Sequence, residues 1–186
     1  MKPAIIVVDM LKDSFNEAHS GIVARAAREI APKVNTLTEF ARNRSLPVIF
    51  SMDSFLRGDF IFQGKMIEHS IRGTEGAEVA DELTQCDTDI YIPKRRFSAF
   101  FKTDLDQTLR LYGVDTVVLA GLMTQWCVLA SAMDALAHDF HTYIMEDCCA
   151  SYKKEVHESV LTFCRQNPLY PLFQVMTAED FMQKVG

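Results

Sequence analysis

Six short apolar runs are spaced along the chain, at 4–8 (AIIVV), 47–52 (PVIFSM), 88–93 (TDIYIP), 115–121 (DTVVLAG), 141–147 (HTYIMED) and 172–176 (LFQVM). Most are apolar at successive positions rather than alternate ones, which is the pattern of parallel strands covered on both faces. Segments with helical spacing lie between them. The first covers about 26–43, with Ile30, Val34, Leu37 and Phe40 on one stripe, and Pro32 predicts a break or a fresh helix start inside it. Further helices are expected over 104–113, which ends in Gly113, and over 124–138 and 153–166. A last one is expected after Thr177, where a hydroxyl followed by acidic residues forms a capping pattern. Strand and helix alternate throughout, so the predicted fold is a three-layer α/β/α sandwich on a mostly parallel six-stranded sheet in Rossmann-like order. No linker or repeat divides residues 1–186, which read as one domain. The exception to the alternation is 54–87, long and poor in strand signal, and long loops of that kind often cover sites.

In open α/β sheets the ligand lies beyond the carboxyl ends of the strands. Those ends carry Asp9, Asp53, Lys94 and Asp147, with Cys127 at the helix start after the fourth strand. Taken singly, each has an ordinary explanation as a cap, a solvated side chain or a core thiol. On one edge they define a candidate site. A thiol at a helix N-terminus near a lysine is expected to favour the thiolate. A carboxylate beside it can accept a proton and return it to a leaving group, and the amides of the turn can hold an oxyanion.

Composition narrows the class. A formal net charge of −6 and no basic tract argue against nucleic acid as a partner. No apolar run reaches the roughly 18 residues of a membrane span, and no signal-peptide pattern precedes "AIIVVDM", so a cytoplasmic protein away from membranes is expected. The five cysteines form no CxxC pair, which leaves zinc-ribbon and thioredoxin-like readings without support. The adjacent Cys148 and Cys149 fit ordinary buried thiols better than a redox pair.

At "IIVVDMLKDSF" (5–15), "HSIRGTEGAEV" (69–79), "IPKRRFSAFFKTDLD" (92–106), "GVDTVVLAGLMTQWCVLASAMDA" (113–135) and "EDCCAS" (146–151), the sequence resembles the isochorismatase-like cysteine hydrolases, which include nicotinamidases and N-carbamoylsarcosine amidases. The resemblance covers nearly the whole chain. It implies Cys127 as nucleophile, Asp9 as general acid/base and Lys94 as charge partner of both. It also implies a cis peptide at Leu122–Met123, with the Met123 and Cys127 amides as oxyanion hole. No redox cofactor or nucleotide is required. Nicotinamidases typically hold a divalent metal on an Asp-x-His motif and a later His. Here Asp53 and His69 match two ligands, but Phe55 stands where the first His is expected, and Asp59 or Glu68 meets the remaining acidic position only by a shift. Two ligands rarely hold Zn²⁺. His69 is therefore read as hydrogen-bonded to Asp53, with zinc at Asp53/His69 the alternative.

The reading that follows is a cysteine amidohydrolase of N-carbamoylsarcosine amidase type, which releases ammonia from a small carbamoyl or carboxamide substrate. The alternative is a nicotinamidase or pyrazinamidase with an altered metal site, and a reading of another class is an inert scaffold of the same fold. Isochorismatase chemistry itself, cleavage of a vinyl ether, needs no cysteine. Carbamoyl acids carry a carboxylate, for which Arg95 and Arg96, or Arg57 and Arg72, are the candidate partners. Phe15, Phe55, Phe97 and Trp126 are candidate pocket walls, and core residues otherwise. The family resemblance also implies a homo-oligomer, dimer or tetramer, for which "FSAFF" (97–101) and "NPLYPLF" (167–173) are candidate apolar contacts.

Overall fold

The structure, a computed structural model, describes residues 1–186 apart from the side chain of Ser20. Every expected strand forms: β1 (Pro3–Val8), β2 (Val48–Asp53), β3 (Ile90–Lys94), β4 (Thr116–Leu122), β5 (His141–Ala150) and β6 (Phe173–Met176). They make one sheet in the order β3-β2-β1-β4-β5-β6, and every neighbouring pair is parallel. The two central strands are buried along their whole length because both faces are covered. Side chains alternate between those faces. Ile5 and Val7 enter the core beneath α2 (Glu17–Arg42) and α6 (Ala178–Val185), and Ala4, Ile6 and Val8 enter the core beneath α3 (Leu105–Leu111), α4 (Leu129–Ala137) and α5 (Lys154–Arg165). A four-residue helix, α1 (Lys12–Phe15), follows β1. Among the described residues no helix is long and apolar enough to cross a membrane.

Three expectations about the elements are corrected. Pro32 neither breaks nor restarts a helix, because α2 runs through it. The stripe Ala24, Ala27, Ala31, Val34, Leu37 and Ala41 is buried against the sheet, while Pro32 is exposed, so the ring and the missing N–H fall on the solvent side. The fifth strand does not end at Asp147 but continues to Ala150, past a register shift against β4 between Leu119 and Gly121. The segment 97–101 is not an exposed apolar patch, since Ala99 and Phe100 are buried and only Phe101 is largely open. In 167–173, by contrast, Leu169, Tyr170 and Leu172 are exposed and Phe173 is core. Cys148 and Cys149 behave as expected of core thiols. They sit in the two different cores, because neighbours in a strand face opposite sides.

One glycine is fixed by a close approach of backbones. Gly121 has φ of 110°, and a Cβ added there would lie 2.1 Å from the Val8 carbonyl oxygen. Gly121→Ala should therefore cost about 3 kcal/mol or more, through strain and clash against backbone that cannot give way. Urea denaturation checks this, and a loss below about 1 kcal/mol would show that β1 and β4 can part there.

Candidate active site

The parallel sheet brings the ends of four strands to one edge, and the polar residues found there in the sequence meet. Asp9 directly follows β1 with a left-handed backbone (φ 52°), a conformation aspartate tolerates better than most residues and one common at functional sites. Its Oδ1 accepts the Asp53 amide at 2.8 Å, and its Oδ2 accepts Lys94 Nζ at 2.8 Å. Lys94 Nζ also donates to Asp53 Oδ1 at 2.5 Å and lies 3.6 Å from Cys127 Sγ. Asp53 and Lys94 end neighbouring strands and pair in register, so the sheet itself sets their separation. Lys94 is 1 % exposed, Asp9 and Asp53 6 %, and Cys127 7 %.

One buried ammonium thus serves two carboxylates and a thiol. Burial opposes the charge on Lys94, but Asp53, Asp9 and Cys127 outweigh it and hold the ammonium well above its ordinary pKa. A single cation cannot offset three anions away from water, so protons stay on the surplus acids. Burial first, and then the charge of Asp9, push Asp53 up to about 7, against the pull of Lys94. The same two causes hold the Cys127 thiol well above its ordinary value. This corrects the expectation of a resting thiolate: desolvation and Asp9 prevail over the lysine beside it. The arrangement suits proton transfer from Cys127 to Asp9 as the thiol attacks, rather than a free thiolate in advance.

Cys127 sits in a π-helical turn, Thr124–Val128, between β4 and α4. Such wide turns are rare and frequent at functional sites. The Met123 carbonyl accepts the amides of Trp126 and Val128, and the Leu122–Met123 peptide is cis, where the resemblance places it. Behind the thiol, the fully buried Ser131 hydroxyl donates to the Cys127 carbonyl at 2.6 Å and accepts the Ala99 amide at 2.9 Å. It ties the Cys127 turn to the loop that carries Phe97.

A cavity of about 510 Å³ opens over this cluster, within the usual range for small-molecule sites. Asp9, Asp53, Met123 and Cys127 line it, and Phe55, Phe97 and Trp126 wall it, with Phe97 and Trp126 stacked at 5.2 Å between ring centroids. Met66, Ile67, Glu68, His69 and Ser70 come from the 54–87 segment, which covers the site as its length suggested. Asp13, Ser14, His19 and Val23 of α1 and α2 also line it. The sequence cue for Asp13 and Ser14 is their place four and five residues after Asp9, in the short helix that follows β1.

Several candidates are placed elsewhere. Phe15 is 4 % exposed in the core under α2, because the short helix α1 turns it inward. Arg95 does not reach the cavity but grips both oxygens of buried Asp59, at 3.0 and 2.9 Å, and Arg96 reaches the same carboxylate at 3.3 Å. Arg57 pairs with Glu68, and Arg72 donates to Ser54 Oγ. Asp147 lies within β5, accepts the Ala178 amide and pairs with Lys33 of α2, away from the other strand-end residues. His69 lines the cavity with Asp53, but its Nδ1 meets the Ile67 carbonyl at 2.9 Å instead of Asp53.

The metal implied by resemblance is tested by its donors. Of the Asp53/His69 set, Asp53 is held by Lys94, and the ring of Phe55 stands edge-on to His69 at 5.4 Å where another ligand is needed. Asp59 is taken by Arg95 and Arg96, and Glu68 accepts the Gly58 amide. That set does not fit zinc. Ligand atoms of Asp9, Asp53 and Cys127 do lie within 4.8 Å of one another, a spacing a metal can use, but Lys94 Nζ already contacts all three.

An Isochorismatase domain model matches residues 3–180. The chain belongs to the isochorismatase family. This family member is 32% identical to the "Probable inactive nicotinamidase" of Arabidopsis thaliana over 166 residues, 83% of each chain. Among solved structures it resembles nicotinamidase/pyrazinamidase PncA from Bacillus subtilis, with a TM-score of 0.80 and 32% identity over 95% of this chain and 100% of that one. It also resembles N-carbamoylsarcosine amidase from Thermoplasma acidophilum, with a TM-score of 0.82 and 29% identity over 95% and 96% of the two chains. A buried cysteine and carboxylate cluster on this fold makes the isochorismatase-family protein a hydrolase of carbon–nitrogen bonds, with a general amidohydrolase mechanism within reach of its geometry.

Proposed function

We propose that this protein hydrolyses a small, ring-bearing carboxamide without a carboxylate, in the manner of a nicotinamidase or pyrazinamidase whose metal site is altered. Cys127 gives its proton to Asp9 as sulfur attacks the amide carbon, and the amides of Met123 and Cys127 receive the oxyanion. The C–N bond then breaks, and Asp9 passes the proton to the departing ammonia. Water, deprotonated by Asp9, cleaves the thioester, the acid leaves, and Cys127 regains its proton. Lys94 remains an ammonium throughout and balances the charge that moves between Asp9 and Cys127.

The observation that carries the choice of substrate is the charge of the cavity lining. Asp13 and Glu68 face it together with Asp9 and Asp53, and among the described residues no lysine or arginine lines it. A carbamoyl amino acid would bring its carboxylate against these groups with no arginine fork to receive it. The aromatic walls suit a flat ring instead. This favours the nicotinamidase-type reading over the carbamoylsarcosine type. The test is ammonia release from nicotinamide, pyrazinamide and benzamide against N-carbamoylsarcosine and other carbamoyl acids. The ring amides should lead in kcat/KM by about 100-fold or more, the worth of a few kcal/mol of unpaired charge. A lead for the carbamoyl acids would overturn the reading.

A further inference from the structure

The lining of the cavity does more than exclude carboxylates. A carbonyl oxygen only accepts hydrogen bonds, so the contact of His69 Nδ1 with Ile67 O, at 2.9 Å, places the ring proton on Nδ1. In the neutral imidazole, Nε2 is then an acceptor, and among the described residues nothing donates to it. His19 lines the same cavity, with its Nδ1 3.3 Å from Asp13 Oδ1. The Asp13 and Glu68 carboxylates on the same lining already accept the Ser70 and Gly58 amides, so His69 Nε2 stands out there as an acceptor with no donor among the described residues. A metal at His69 would reverse this polarity, since an ion offers a vacant coordination position to a lone pair. The donor set there does not fit one: Phe55 fills the neighbouring position, and Asp59 is gripped by Arg95.

We infer that His69 is a specificity-determining residue whose Nε2 accepts a hydrogen bond from the substrate. The best-bound amides are therefore ring carboxamides that carry an N–H or O–H donor, such as an amino group, rather than a bare ring nitrogen. The inference rests on the ring-amide reading above, but it concerns the group remote from the reacting carbonyl. Phe55, Phe62 and His69 hold one another edge to face at 5.1, 5.4 and 5.8 Å, which fixes the imidazole in place before substrate arrives. A fixed acceptor left unpaired penalises a ligand that brings it a second lone pair.

Binding to the Cys127→Ala variant separates this inference from the catalytic reading, because it needs no turnover. Titration calorimetry would compare the three aminobenzamides, benzamide, nicotinamide and 3-carbamoylbenzoate, with chelator present. The best aminobenzamide should bind about three- to tenfold more tightly than benzamide, the worth of one neutral hydrogen bond. Nicotinamide should bind no better than benzamide, and the carboxylate should bind worst. In Cys127→Ala/His69→Leu the ratio of aminobenzamide to benzamide affinity should fall to about one. Equilibrium dialysis of the wild-type protein against zinc should find well under one ion per chain that depends on His69. Nicotinamide binding more tightly than every aminobenzamide, no measurable binding by any aminobenzamide, an unchanged ratio in the His69→Leu variant, or one zinc per chain lost with His69→Leu would each overturn the inference. Failure of the wild-type protein to release ammonia from any of these amides would instead overturn the proposed function.

Discussion

Cys127→Ala should lower ammonia release by at least about a thousand-fold while the protein remains folded. The size follows from the chemistry: without sulfur there is no thioester, and Asp9 alone can only activate water against an amide. The fold should survive because Cys127 is a small side chain in the α4 core, and its replacement removes one sulfur and leaves the Ser131 bond to its backbone carbonyl intact. A second readout addresses the resting state of the thiol. Since burial and Asp9 hold it up, inactivation by iodoacetamide should be slow at neutral pH and still accelerate through about pH 9. Turnover that persists in Cys127→Ala would remove the nucleophile assignment. A plateau in alkylation below about pH 7 would show that the macrodipole and Lys94 prevail over desolvation after all.

The parts of this site legible in the sequence are those a parallel sheet positions by construction. Asp9, Asp53 and Lys94 stand at or just after strand ends, strand ends of a parallel sheet share an edge, and a thiol on the next helix start joins them. Their convergence needs no side-chain detail. What sequence could not supply is side-chain direction in the loops. Arg95 and Arg96 follow Lys94 directly, yet both turn to Asp59 and leave the cavity acidic. Phe15 lies close to the site in sequence but faces the opposite core. The reach of α2 through Pro32 depended on which side of the helix meets water, and the length of β5 on a register shift against β4. The protonation of Cys127 was legible least of all, because it depends on a charge balance among four residues from four strand ends. Helix position alone pointed the other way.

Lys94→Met tests that balance, and it should be the most damaging single substitution in the cluster. The methionine fills the volume but removes the only ammonium between Asp9 and Asp53, and breaking a buried pair from one side costs about 3–5 kcal/mol. The loss should depend on pH in a direction fixed by Asp53. Its folded pKa, about 7, lies above the ordinary carboxylate value, so the folded chain holds a proton that the unfolded chain gives up. Stability from such a group is present in acid and is lost as pH rises through about 7. Removing Lys94, which pulls that value down, widens the gap and moves the loss to higher pH. The deficit of Lys94→Met relative to wild type should thus be largest near pH 8 and shrink by about 1 kcal/mol or more near pH 5.5, where Asp53 is protonated. Asp53→Asn in the Lys94→Met background should recover part of the deficit at the higher pH, since an amide needs no cation. Urea denaturation of the four proteins at both pH values completes the cycle. A deficit that is the same at both pH values, or no recovery on adding Asp53→Asn, would mean that the ammonium does not hold the second carboxylate in its charged form.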